Sequence, residues 1–183
     1  YIQVEDAVLE GEPNPEGLPV ISSLQSCFIY NSAEEGPSFE CSNPLFTQTH
    51  RLIERAERSN MQSVMTDCPH REKLGWLEQD HLVGPSLFYN YDMTQYCPKI
   101  IRDITDTQKQ DGMVPTTAPQ YVSFGNLFDD SPEWGSTLII MPFQYYEQYG
   151  DSTLIIKNYQ AMRRYVDYLT GRSQNGIVSH GLG

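Results

Sequence analysis

The chain has 183 residues, 39% of them hydrophobic, which is enough for one substantial core, and a formal net charge of −12. That charge repels phosphate backbones, and no Lys/Arg cluster interleaved with aromatics offsets it, which argues against a nucleic-acid partner. No run of about eighteen apolar residues occurs, and the first residues form neither a basic nor an apolar leader-like region, so the segment itself neither spans a membrane nor directs export.

Residues 1–42 have β character: "YIQVEDAVLEG", "LPVISSLQSCFIY" and "PSFEC" are β-branched or alternating and separated by Gly/Pro-rich turns. Two or three strands cannot close a sheet of their own, so this region is expected to be the tail of a β domain. From Asn43 the pattern turns helical, with Asn43 as N-cap, Pro44 at the first position, and Leu45, Leu52, Ile53 and Ala56 on one apolar face. A second helical region is expected over 84–110, divided by Pro98, burying Ile100, Ile101 and Ile104, and ended by Asp111-Gly112.

Residues 113–132, "MVPTTAPQYVSFGNLFDDSP", have no helical period and read as a long ordered loop in which Asp129-Asp130 form a solvated turn. Helices are expected again at 134–149 and 152–170, joined tightly at "YGD"; in the second, Ile155, Tyr159, Met162, Val166 and Leu169 recur at helical spacing. The expected chain is thus mainly α: a β segment, then antiparallel hairpins that more hairpins would complete, with both ends cut from a longer protein.

The four cysteines show no CxxC pair, and Cys68, His70, His81 and Cys97 lack the second tight pair that a metal site needs. Buried free thiols are expected, and neither a metal nor another cofactor. Twelve Tyr, seven Phe and two Trp offer flat faces with polar edges, suited to sugar rings and equally to a core.

One stretch concentrates ionisable groups: "TDCPHREKLGWLEQD" at 66–80. Pro69 and Gly75 oppose an uninterrupted helix, so the stretch reads as a shaped turn. Breaking a glycosidic bond needs one carboxylic acid to protonate the leaving oxygen and one carboxylate to activate water or attack the ring. Asp67 and Glu72 are the candidates. If Pro69 forces a turn, Arg71 lies between them and holds one ionised while Trp76 shields the other and raises its pKa. A buried ion network that merely fixes a loop is the alternative on the residues alone.

"TDCPHREKLGW" resembles the Asp-Cys-Pro-x-Arg-Glu…Gly-Trp signature of bacterial α-L-rhamnosidases, and "DGMVPTTAP", "SPEWGSTLIIMPFQYYEQYGD" and "NYQAMRRYVDYL" follow in the family's order. The resemblance implies an (α/α)6 six-hairpin barrel preceded by β-sandwich domains. Residues 1–42 would be the end of a β-sandwich and a linker, and 43–183 the N-terminal part of the catalytic barrel. It implies Glu72 as general acid, with Asp67 and Arg71 orienting it or contacting sugar hydroxyls. Trp76 and Trp134 would pack on the sugar, with His70, Gln79, Asp80, Asp130 and Glu133 as further substrate-binding residues.

The match departs after Gly-Trp, where the family pattern runs x-Gly-Asp and this chain has Leu77-Glu78-Gln79-Asp80, with Gln79 in the Asp position. An amide there supplies no negative charge to an oxocarbenium-like transition state. The variant also resembles a branch that includes rhamnose–glucuronate lyases, in which His70 and Arg71 would serve β-elimination; a carbohydrate-binding barrel without catalysis is a third possibility. The inverting base would lie beyond residue 183, so the piece alone is expected to be inactive. The resemblance further implies a rhamnose-containing oligo- or polysaccharide as partner, the remaining domains of the parent chain, and a periplasmic or secreted location.

Overall fold

A computed structural model describes residues 3–125 and 128–179. The first strands are two residues each, β1 (Val8–Leu9) and β2 (Val20–Ile21), paired in parallel with Val8 opposite Val20. The expected longer strands in "LPVISSLQSCFIY" and "PSFEC" do not form among the described residues. The residues between these two segments bond to the helical layer: Asn31 N–H donates to the Met61 carbonyl (3.0 Å), Gly36 N–H to Asn90 (2.6 Å), and Asp92 N–H to Glu34 (2.9 Å).

Helix α1 (Pro44–Asn60) begins as its residues dictate, with Pro44 at the first position and the Asn43 side chain accepting from Leu45 N–H at 3.0 Å. Its expected apolar face is the one left outside: Leu45, Leu52, Ile53 and Ala56 are exposed, and Glu57 is the buried residue. Polar contacts orient the helix. Asn90 donates to Glu57 Oε2 (2.9 Å), the Tyr91 hydroxyl donates to the Glu54 carbonyl (3.0 Å), and His50 meets Asn90 Oδ1 (3.1 Å).

A short helix outside the expected elements, α2 (Leu77–Leu82), precedes the second helical region, which is two helices, α3 (Gly84–Asn90) and α4 (Tyr96–Thr107). The break falls at 91–95 and not at Pro98, which sits in the first turn of α4, where a missing N–H leaves no helical bond unmade. Helix α2 is too short for its period to be read from sequence. Ile100, Ile101 and Ile104 are buried as their spacing predicts, although α4 stops at Thr107, before Asp111-Gly112.

Two helices then replace the expected 134–149 element: α5 (Pro132–Gly135) and α6 (Thr137–Tyr149). A side chain at Gly135 would run into the Tyr165 ring, so glycine lets α7 approach α5. Helix α6 closes on Gly150, left-handed at φ 67°, and leads into α7 (Thr153–Arg172). The stripe α7 buries is Leu154, Met162 and Tyr165; Tyr159 and Val166, in the predicted stripe, are exposed. Two overlapping stripes share Met162, and burial of the Tyr165 ring against Gly135 goes with the second.

Helix α6 is the hub, packed on α2, α3, α4 and α7. Leu138 and Met141 are fully buried with Leu77, Leu87, Ile101 and Tyr165, each apolar side chain contributing roughly 1.5–3 kcal/mol of burial. A polar tie aligns α2 with α6: the Thr137 hydroxyl donates to the Leu77 carbonyl (2.6 Å) and therefore accepts from His81 Nδ1 (2.7 Å). Of the thiols expected to be buried, only Cys97 is; Cys68 is half-buried, and Cys27 and Cys41 are exposed.

Candidate active site

The charged stretch folds as the turn that Pro69 predicts, over 69–72, and returns toward Gly75 with Lys73 left-handed at φ 59°. Asp67 N–H donates to the Leu74 carbonyl (3.3 Å), and Glu72 N–H donates to Cys68 Sγ (3.3 Å), so the turn closes on itself. Its return arm is pinned to the 114–118 loop: Ala118 N–H donates to Gly75 (3.1 Å) and Leu77 N–H to Thr116 (2.9 Å). A Cβ on Gly75 would stand 2.7 Å from the Ala118 carbonyl oxygen, so only glycine permits this approach.

A cleft of about 370 Å³ opens between this turn, the start of α2 and the start of α5. Asp67, Arg71 and Glu72 line it from the turn, Trp76, Glu78 and Gln79 from α2 and the residue before it, and Phe128 and Trp134 from the far side. Phe124, Trp76 and Trp134 form a continuous aromatic run, with ring centroids 5.1 Å apart and stacked for the first pair, 6.2 Å and tilted for the second.

Asp67 Oδ2 accepts from Cys68 Sγ (3.2 Å), while its buried Oδ1 makes no hydrogen bond of ordinary geometry. Partial burial pushes the Asp67 carboxyl up, but the neighbouring Glu72 carboxyl and hydrogen bonding from Cys68 outweigh it and leave the group below its ordinary value. Glu72 Oε1 also accepts from Arg71 (2.6 Å). Arg71 is 75% exposed, so this ion pair orients more than it stabilises. Arg71 pairs with Glu72 instead of standing between the two acids.

The cleft carboxyl whose pKa burial raises is one that the sequence does not single out. Glu78 is half-buried; desolvation and then the charge of Asp67 lift it above its ordinary value. Gln79 Nε2 donates to Glu78 Oε1 (3.3 Å), so the amide in the family's Asp position serves a neighbouring carboxylate. Glu78 was findable only as an acid two residues after a Trp. Which way a side chain points from the first turn of a six-residue helix was not legible.

Other predicted site residues lie elsewhere. Asp80 faces the core from the opposite side of α2, fully buried beside Tyr96 and Cys97, and its carboxyl is pushed well above its ordinary value by desolvation. Asp130 is buried and accepts from the Tyr168 hydroxyl of α7, with Arg172 at 3.5 Å. Asp129 is buried as well, accepting from Ser123 and from Phe124 N–H (2.9 Å), so this pair is no solvated turn. His70 and Glu133 are exposed and do not line the cleft.

Among the described residues no three His, Cys, Asp or Glu converge in a way that would hold a metal ion. A second cleft of about 350 Å³, between α1 and the N-terminal segment, is lined by Arg51, Arg55 and Arg58, of which Arg58 is already paired with Glu35. Its two acids, Glu35 and Glu54, share the lining with these three arginines and with Phe28 and Tyr91.

Residues 34–183 match the bacterial alpha-L-rhamnosidase 6 hairpin glycosidase domain. An alpha-L-rhamnosidase of Formosa agariphila is 30% identical over 178 residues, 90% of this chain and 18% of that protein. One from Streptomyces avermitilis is 28% identical over 158 residues, 86% and 15% of the respective chains. The chain therefore spans less than a fifth of these curated relatives. The solved structure of alpha-L-rhamnosidase from Dictyoglumus thermophilum superposes with a TM-score of 0.77 at 29% identity, covering 84% of this chain and 17% of that one. A Streptomyces avermitilis alpha-L-rhamnosidase complexed with L-rhamnose superposes at 0.73 and 29% identity, covering 79% and 14%.

Proposed function

The chain belongs to the bacterial α-L-rhamnosidase six-hairpin glycosidase family, and from that premise we propose that it carries the acid side of the active site of an α-L-rhamnosidase-like glycoside hydrolase, one that releases terminal α-L-rhamnosyl residues from glycans with inversion. The observation that carries this reading is the Asp67–Glu72 carboxyl pair facing a cleft walled by Trp76 and Trp134.

Glu72 stands at the cleft beside Asp67 and, as the general acid, donates a proton to the glycosidic oxygen as the bond from the anomeric carbon breaks. A water deprotonated by a second carboxylate attacks the opposite face of the ring; we place that base C-terminal to residue 183. Trp76 and Trp134 offer flat faces for the sugar's apolar side, and the exposed Arg71, paired with Glu72, stands at the cleft within reach of the sugar's polar edge. A periplasmic or secreted location fits an enzyme that strips rhamnose from polysaccharide.

Gln79 in the cleft favours one second reading, a lyase acting by β-elimination on rhamnosyl-glucuronate linkages. His70, its expected base, stands outside the cleft, which weighs against it. The deciding experiment gives the full-length protein a rhamnose-capped, glucuronate-containing glycan and records free rhamnose together with ultraviolet absorbance from a new carbon–carbon double bond. Rhamnose without absorbance is expected. Rhamnose with absorbance means elimination, and sugar binding with neither product means a non-catalytic barrel.

A further inference from the structure

Glu78 has no part in the reaction just described, yet it sits in the cleft at the second position of α2. Its Oε2 and the Nε1 of Trp134 are both buried and have no hydrogen-bond partner among the described residues. The two groups are nonetheless close enough for the indole N–H to favour the charged carboxylate. A buried donor and a buried acceptor left unmade destabilise by about 1–3 kcal/mol each. One hydrogen bond between them would satisfy both at once.

We propose that Glu78 is a positioning residue for the sugar: Gln79 holds its Oε1, and its Oε2 takes the indole N–H of Trp134 when a sugar ring fills the cleft, fixing that indole as the wall on which the ring rests. This rests on the sugar-binding reading above. It also accounts for the amide at 79. Gln79 donates to Glu78 at 3.3 Å, which no carboxylate at that position would do, and a carboxylate would add charge beside Glu78, Asp67 and Glu72. The departures at 78 and 79 therefore form one device.

The charged groups around Glu78 are Asp67, Glu72 and Arg71 along the cleft and Asp80 from the core side. Desolvation first, then Asp67, makes Glu78 take up a proton at higher pH than a free glutamate. A neutral acid is a weaker acceptor than a carboxylate, so the hold on Trp134 weakens as pH falls.

The test uses full-length protein labelled with 5-fluorotryptophan, in which the Trp134 fluorine resonance is identified by its loss in Trp134→Phe. In the wild type that resonance should move with pH in the mildly acidic range and move again on adding L-rhamnose; in Glu78→Gln the pH response should vanish. Glu78→Ala should raise KM about tenfold with kcat within about twofold, and Glu78→Gln, which keeps an acceptor oxygen, should recover most of that loss. Equal thermal midpoints exclude unfolding as the cause. A Trp134 resonance that titrates identically in Glu78→Gln, or a Glu78→Ala variant with wild-type KM, overturns the proposal. If the protein neither binds nor releases rhamnose, the proposed function fails, and the fluorine titration in the free protein still decides whether Glu78 holds Trp134.

Discussion

The turn above the cleft and the core face of α2 each hold an aspartate whose carboxyl burial pushes up, partial burial at Asp67 and full burial at Asp80, and the two behave in opposite ways. Asp67 has Cys68 Sγ, backbone N–H groups and the Glu72 carboxyl around it, which together outweigh desolvation and hold it down. Asp80 has desolvation and the charges of Glu78 and Asp103 against it and only Lys99 in its favour, so it is pushed well up. Its Oδ1 and the Tyr96 hydroxyl are buried without a partner among the described residues. Burial alone makes a carboxyl a weak acid; what surrounds it decides whether it becomes a working one.

The sharpest break of this contrast is Glu72→Gln. In the full-length protein, turnover should fall about 10²- to 10⁴-fold, the range for a lost general acid, while calorimetric rhamnose affinity stays near wild type. Unchanged turnover would remove Glu72 as the acid.

Asp80→Asn comes next and acts on stability. The folded pKa of Asp80 lies above its unfolded value, so the native state binds more protons between the two, and stability falls as pH rises above about 4. The Asn variant escapes that loss. It should be more stable than wild type at pH 7 by on the order of 1 kcal/mol and equal to it in strong acid, as read from thermal midpoints at the two pH values. A variant less stable at pH 7 would mean that the carboxylate is paired after all.

Asp67→Asn should show a smaller effect of opposite sign. The folded pKa of Asp67 is lowered, so its stabilisation is present above the unfolded value near 4 and is lost as pH falls through the folded one. The variant should melt slightly below wild type at neutral pH and converge with it in acid. Parallel curves for the Asp67 and Asp80 variants would erase the comparison.

Smallest of all is His70→Ala. The residue is exposed and outside the cleft, so rhamnose release should change by no more than about twofold; loss of activity would point instead to elimination with His70 as base.

Where residues signal through local rules, the structure follows them. Asn43 and Pro44 start α1, Pro69 turns the charged stretch, the three isoleucines of α4 go inside, and Gly150 ends α6. Each of these depends on backbone geometry within a few residues. The "DCPHREKLGW" motif likewise pointed to a family and to the Asp67–Glu72–Trp76 grouping, which the cleft brings together.

Faces were decided elsewhere. Helix α1 turned its apolar side outward because Glu57, His50 and the Glu54 carbonyl found partners on Asn90 and Tyr91, residues more than thirty positions away. Helix α7 chose the stripe with Tyr165, whose ring lies over Gly135. Acids as close as Glu78 and Asp80 parted, one to the cleft and one to the core, because α2 lies between them, against α6 on one side and the turn on the other. Local sequence specified where elements begin, how they bend and which chemistry the chain carries. Only tertiary packing, through partners distant in sequence, determined which side chains share the water of the cleft and which are sealed from it.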